Sequence, residues 1–275
     1  MRPIFKYSGG KTKELSTIRQ FLPHSFQRVI EPFAGGAAVS FALEKPCILN
    51  DIRHNNIATY NAVKDFDSFT ALMEWINYLK TLDIEALNKV YYEQRDGMWG
   101  KCVTNLDYAK RWITIRQLVF SGMDRINNKT GKFNAPFGWY KQFGCNLSIE
   151  HHNLLQKSIL LEDDFEKAFD LANENDFIFL DPPYYQRNSD YGGDYDDNSD
   201  LHNRIVERCK NTKAKWMMVH IDCDLYRDLY KDFYINEKSF GYSQNFKGRD
   251  NSNSKVNHLY ITNYNTASAT LDTFF

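Results

Sequence analysis

The run Leu180-Asp181-Pro182-Pro183-Tyr184-Tyr185 closes an apolar β-type stretch, "NDFIF". Two prolines end a strand because they remove ladder donors and fix φ. They leave an acid, two rigid residues and a ring at a strand's carboxyl end, where parallel sheets place ligand chemistry. Such residues suit an amino group conjugated to an aromatic ring, for example the 6-amino group of adenine. Its lone pair is delocalised, so it is a weak nucleophile. Two acceptors, the Asp181 carboxylate and the Pro182 carbonyl, would orient its hydrogens and favour the pyramidal nitrogen of the transition state. The prolines would hold both acceptors with little freedom. Tyr184 would stack on the base; stacking contributes about 1–3 kcal/mol per base. That offsets much of the cost of rotating a base out of a duplex. The competing reading is a proline-rich turn without chemistry.

A second cluster lies upstream. "VIEPFAGGAAVSFALEK" sets Gly35 and Gly36 between a strand and a helix, and Asp51 ends the next strand, "CILND". Glycine lets backbone approach a ligand, and a helix N-terminus offers N–H groups. An acid at the end of the second strand can accept the ribose hydroxyls of an adenosyl group. A structural turn followed by a strand-end acid is the alternative. A nicotinamide dehydrogenase fits poorly, because the run Ala34-Gly35-Gly36-Ala37-Ala38 is not G-x-G-x-x-G.

These clusters need a scaffold. "KTKELSTIRQFL" scans as a short helix through Leu15, Ile18 and Leu22. Strand, glycine turn, helix and strand then follow, the opening unit of a doubly wound sheet. From about residue 61 to 150 the pattern turns helical: "SFTALMEWINYLK", "IEALNKVYYEQR" and "LDYAKRWITIRQLVF". "SGMDRINNKTGKFNAPFGWYK" reads as loops or a hairpin. Strand signals resume at "SILL", "DFIFLD", "KWMMVHI" and "NHLYITN". The expected division is a catalytic core of residues 1–60 and 151–265, a helical insertion at 61–150 and a tail at 266–275.

Composition narrows the function classes. The chain has 275 residues and a formal net charge of -1, so any nucleic-acid surface must be local. Residues 108–141 supply one: Lys110, Arg111, Arg116, Arg125, Lys129, Lys132 and Lys141 stand against a single acid, Asp124. Lys247 and Arg249 add charge further on, while residues 189–200 carry five acids and no base. The bland reading of that acidic run is a solvated loop. The five cysteines, Cys47, Cys102, Cys145, Cys209 and Cys223, show no CxxC spacing, which argues against zinc or a disulfide framework. No apolar run approaches the roughly 18–20 residues of a membrane span, and "MRPIFKYSGGK" has no signal-peptide core. We expect no metal, no membrane contact and a cytoplasmic protein, with a monomer the simplest oligomeric state.

The ordered motifs resemble the Dam-type DNA adenine methyltransferases. "FKYSGGKTKEL" is similar to their N-terminal cofactor motif, with Tyr7 and Lys11 in its aromatic and lysine positions. "IEPFAGGAAV" resembles the glycine motif with Glu31, Phe33, Gly35 and Gly36, and "LNDIRHNNIATYNAVK" the segment that carries Asp51. "LLEDDFEKAF" is similar to the motif that flanks the cofactor adenine, here Asp164 and Phe165; "FLDPPY" resembles the catalytic motif and "GKFNAPFGWYK" the recognition hairpin. The resemblance covers most of the chain. It implies an α/β, Rossmann-like class I methyltransferase core with a mostly helical DNA-recognition insertion. It implies S-adenosylmethionine as methyl donor, double-stranded DNA as partner and the exocyclic adenine nitrogen as acceptor. Catalysis would fall to Asp181, Pro182 and Tyr184; the cofactor to Tyr7, Lys11, Glu31, Phe33, Gly35, Gly36, Asp51, Asp164, Phe165 and Asp181. DNA contact would fall to Lys6, Arg116, Arg125, Asn127, Lys129, Lys132, Asn134, Tyr140, Lys141, Lys247 and Arg249. Arg125 lies one residue of insertion away from the family's guanine-reading arginine, which would make GATC the recognition site. Methylation of another conjugated nitrogen (a cytosine amino group, an RNA base, a protein glutamine) and a non-catalytic DNA-binding regulator are the rival readings.

Overall fold

The computed structural model describes residues 1–97, 103–127, 130, 132–184, 199–241 and 255–266. The chain divides into two compact units: Met1–Leu15 with Arg28–Ala168, and Ser16–Gln27 with Phe169–Phe275. This cut differs from the core-and-insertion division expected above. The helices α4 (Phe66–Lys80), α5 (Ile84–Gly97) and α6 (Asn105–Leu118) follow α1 (Leu15–Gln20), α2 (Ala38–Leu43) and α3 (His54–Lys64). α4 and α6 pack on α3, and α5 on α6, so the helical segment shares one core with the first strands.

In the first unit, β1 (Arg28–Glu31), β2 (Cys47–Asn50) and β3 (Ile159–Leu161) are parallel, with Ile30 opposite Ile48 and Ile48 opposite Ile159. β2 is buried along its whole length, as a parallel strand covered on both faces must be. β1 and β2 therefore end on one side of their pairing, which puts Glu31 and Asp51 at the same edge. Apolar residues of α4 recur at Phe69, Leu72, Ile76 and Leu79, all buried. Thr104 caps α6 by accepting from the Asp107 amide, with Asp107 returning the bond. α7 (Ile149–Gln156) leads back into β3, and α8 (Phe165–Asp170) follows it.

In the second unit, β4 (Asp176–Leu180) runs parallel to β5 (Lys215–Ile221). β6 (Tyr234–Gly241) and β7 (Lys255–Thr262) are antiparallel additions, β7 pairing with both β5 and β6. α9 (Ser199–Asn211) and α10 (Asp224–Leu229) complete it. The α/β, mostly parallel architecture expected from the sequence is what the chain adopts. No helix among the described residues is long and apolar enough to cross a membrane.

Candidate active site

The glycine turn after β1 is built around Tyr7. Gly35 has φ +48, and a Cβ there would meet the Tyr7 ring at 2.7 Å. The close approach that demands glycine at this position is therefore by Tyr7, where ligand contact was expected. The buried Glu31 carboxylate accepts the Ser40 N–H at 2.7 Å, so one N-terminal donor of α2 already holds a negative partner. Tyr60 donates its hydroxyl to the Gly35 carbonyl at 2.6 Å.

Asp51 locks the turn from the other side. Its carboxylate accepts the Gly35 N–H at 2.7 Å, the Arg53 N–H at 2.8 Å and an Asn56 amide hydrogen at 2.9 Å. A carboxylate offers about four lone-pair sites, so three bonds leave capacity for another donor. Asn56 in turn accepts the Trp112 indole N–H at 2.9 Å, which extends the network onto α6. Asn50 clamps two further loops: its amide donates to the Pro32 and Asp163 carbonyls, each at 3.0 Å, and its oxygen accepts from the Asp163 N–H. That clamp accompanies the stacking of Phe33 on Phe165, with centroids 5.3 Å apart. Asp164, exposed, accepts from the Glu166 N–H. Lys11 is buried and donates to the Gly9 carbonyl at 3.1 Å. Tyr7, Phe33, Gly35, Gly36 and Asp51 thus belong to one set of loops, with Phe165 at the start of α8 stacked on Phe33. Asn50, Asn56 and Trp112 escaped the sequence reading; "LNDIRHNN" holds a polar cluster, but nothing in its spacing says which amide turns inward.

The Asp181–Tyr184 loop follows β4 directly. Pro182 is buried, and Asp181 and Tyr184 are half-buried. The Pro183 carbonyl lies 3.1 Å from Nε2 of His202, and no hydrogen bond reaches the Pro182 carbonyl from the described residues. The Tyr184 ring lies against His220, with centroids 4.4 Å apart. His220 is buried in β5.

The candidate DNA-contact residues divide. A hairpin does form, with Ile126 opposite Phe133 and the Asn127 N–H on the Lys132 carbonyl at 2.8 Å. Arg125 donates to the Asn134 side chain at 2.8 Å and to its carbonyl at 3.0 Å, while remaining exposed, as is Lys132. Asn127 caps the turn by accepting the Thr130 N–H. Lys6 donates to the Gln117 carbonyl at 3.0 Å and sits 3.7 Å over the Tyr140 ring; Lys141 is exposed. Partial burial draws the Lys6 pKa down. Arg116 requires correction. It is fully buried, and its guanidinium donates to the Lys6, Met123 and Gly122 carbonyls at 2.9, 3.2 and 3.1 Å. It is flanked by Tyr7 and Trp112, so it organises the core and presents nothing to a phosphate. Asp124, the single acid of this basic stretch, forms an ion pair with Arg53. Lys129, Lys247, Arg249 and acidic residues 190–197 lie outside the described residues.

With an α/β core, a glycine turn after its first strand and a strand-end Asp-Pro-Pro-Tyr loop, the architecture is that of a group-transfer enzyme. The family model for D12 class N6 adenine-specific DNA methyltransferases matches residues 7–243, and the chain belongs to that family. Among relatives, a type II methyltransferase, M.CviBI, of Paramecium bursaria Chlorella virus NC1A is 36% identical, covering 96% of this chain and all of its own. The type II methyltransferase M.MjaIII of Methanocaldococcus jannaschii is 31% identical, covering 96% of this chain and 99% of its own. A DNA adenine methylase of Haemophilus influenzae is 28% identical over 66% of this chain and 64% of its own. The Dam-type resemblance and the adenine-specific DNA methyltransferase activity expected from the motifs are thereby supported.

Proposed function

We propose that this chain transfers a methyl group from S-adenosylmethionine to the exocyclic amino group of an adenine rotated out of duplex DNA. The observation that carries the reading is the loop after β4: a half-buried carboxylate, a Pro182 carbonyl with accepting capacity and a ring held beside them. Asp181 and the Pro182 carbonyl would accept the two amino hydrogens, and Tyr184 would stack on the base. The amino nitrogen would take the methyl group in line, displace the sulfur and release its proton to water, with no covalent enzyme intermediate.

The first unit carries groups that suit this cofactor. The stacked Phe33–Phe165 pair offers apolar surface for an adenine ring, and Asp51 retains acceptor capacity for ribose hydroxyls. Tyr7, Lys11, Glu31, the Gly35-Gly36 turn and Asp164 would complete the site. The bound cofactor supplies a methyl group activated by a positively charged sulfur. Arg125, preoriented by Asn134, and exposed Lys132 and Lys141 would face the DNA, Arg125 reading guanine. GATC is the recognition sequence we would test first, and we place the enzyme, as a monomer, in the cytoplasm of a prokaryotic or phage-infected cell.

The test is transfer from labelled S-adenosylmethionine to unmethylated duplex DNA, with the product nucleosides identified by mass. Methyladenine is the expected product. Cofactor binding without methylated DNA would redirect the reading to RNA or protein acceptors, and no cofactor binding would favour a DNA-binding regulator. Asp181→Ala should lose at least about 100-fold in kcat while DNA affinity is largely kept; an active Ala variant would sink the acceptor role.

A further inference from the structure

Pro182 and Pro183 have no N–H to donate, so at these two positions the Asp181–Tyr184 loop is held through its carbonyls and its ring. His202, on α9, is 1% exposed, and its Nε2 lies 3.1 Å from the Pro183 carbonyl and 2.9 Å from the Tyr226 hydroxyl. The carbonyl can only accept, so the proton on Nε2 is donated to it and shared with the Tyr226 hydroxyl oxygen, which then also accepts. That bond sets the peptide plane between Pro183 and Tyr184. His220 forms the floor beneath: its ring lies 4.4 Å from Tyr184, 3.6 Å from Tyr226 and 5.7 Å from His202. Burial lowers the His202 pKa, with the Pro183 bond opposing in part. The ring is therefore neutral near pH 7, with one hydrogen to give.

We propose that His202 is a positioning residue for methyl transfer: its Nε2–H fixes the Pro183 carbonyl and so holds Asp181, the Pro182 carbonyl and Tyr184 in working geometry. This rests on the reading that the loop receives the target adenine. His202 touches no reacting atom in this scheme. Its effect belongs to the rate of the chemical step, because small misplacements of reacting groups cost rate far more than affinity.

Three variants test it by single-turnover methylation, DNA and S-adenosylmethionine binding and thermal unfolding. His202→Phe fills the volume without a donor. Its rate should fall about 10- to 100-fold, with both affinities within about twofold of the parent. His202→Gln, whose amide nitrogen can take the place of Nε2, should recover to within about fivefold of the parent. Tyr226→Phe leaves the donor to Pro183 intact and should stay within about threefold. A folded His202→Phe that methylates like the parent overturns the role, as does a folded His202→Gln no better than His202→Phe. If His202→Phe fails to fold, His202→Met takes its place against His202→Gln with the same criteria. A parent that leaves duplex adenine unmethylated overturns the functional reading and this role with it; a methylating parent indifferent to the substitutions overturns the role alone.

Discussion

Asn56 accepts the indole N–H of Trp112 at 2.9 Å and donates to Asp51 at 2.9 Å. One side chain at the start of α3 thus ties α6, a helix of the expected recognition segment, to the carboxylate that closes the glycine turn. Trp112→Phe leaves the buried Asn56 oxygen without its donor and should cost about 1–3 kcal/mol of stability. Asn56→Ala also frees Asp51 from one of three bonds. S-adenosylmethionine affinity should then weaken about tenfold, the equivalent of one ordinary hydrogen bond. Calorimetric titration of the cofactor checks this, and unchanged affinity would detach Asp51 from cofactor binding. In the double variant the stability losses should be less than additive, because both act through one contact.

Gly35 faces the Tyr7 ring with positive φ. Gly35→Ala should destabilise by about 1–3 kcal/mol from backbone strain alone, with the ring contact adding to it. Removing the ring by Tyr7→Ala should make Gly35→Ala cheaper than it is in the parent. Urea unfolding of the two singles and the double measures this; strict additivity would show that the ring does not dictate the glycine.

Arg116 and the exposed lysines should separate cleanly. Arg116→Met removes a buried cation that serves three carbonyls and lies 3.9 Å from Asp124, and should cost about 3–5 kcal/mol. The salt dependence of DNA binding should not change. Lys132→Ala and Lys141→Ala should leave stability within about 0.5 kcal/mol and each reduce the salt slope by about 0.9. A reduced slope for a folded Arg116→Met would return that residue to the DNA surface.

His151 gives stability a pH dependence. Its Nε2 donates to the Arg2 carbonyl at 2.8 Å and its Nδ1 accepts the Ser148 N–H at 3.3 Å, an arrangement that only the neutral ring can make. Burial lowers its pKa, outweighing the Arg2 bond and nearby Glu150, while the N-terminal ammonium pushes the same way as burial. As pH falls, the unfolded chain therefore takes up its proton first. The contribution is complete above the unfolded value of about 6.5 and is lost progressively as pH falls from there through the lower folded value. Buried His202 shifts in the same direction and adds to the effect. Unfolding midpoints between pH 8 and 5 should decline below about 6.5, and His151→Asn should flatten that decline. A decline of equal steepness in the variant would assign it to other groups.

The parts of the fold legible in sequence were those with strong local signals. The strands ending at Glu31, Asn50 and Leu180 are short buried runs stopped by Pro or Asp, and α4 shows a regular apolar stripe. β6 was not anticipated, because Tyr234, Glu237, Lys238 and Ser239 are exposed and the strand lacks the apolar alternation of a covered one. α9 follows the acidic run and was passed over, although Leu201, Ile205, Val206 and Cys209 recur at helical spacing within its polar sequence. Arg116 looked like a phosphate ligand because charge density along the chain cannot distinguish a solvated arginine from one buried under Tyr7 and Trp112.

The sequence by itself supplied the residues on which the proposed chemistry rests. Asp181-Pro182-Pro183-Tyr184 after an apolar strand, a glycine turn and a strand-end Asp51 are consecutive residues, so their types and spacing are visible without a fold. Only the tertiary structure decided how those groups are held. The donor to Pro183 comes from a residue nineteen positions away, the ring against Gly35 from twenty-eight, and the amide supporting Asp51 is itself held from α6, fifty-six away. Hydrogen bonds and ring contacts act over a few ångströms of space, and distance along the chain does not encode them.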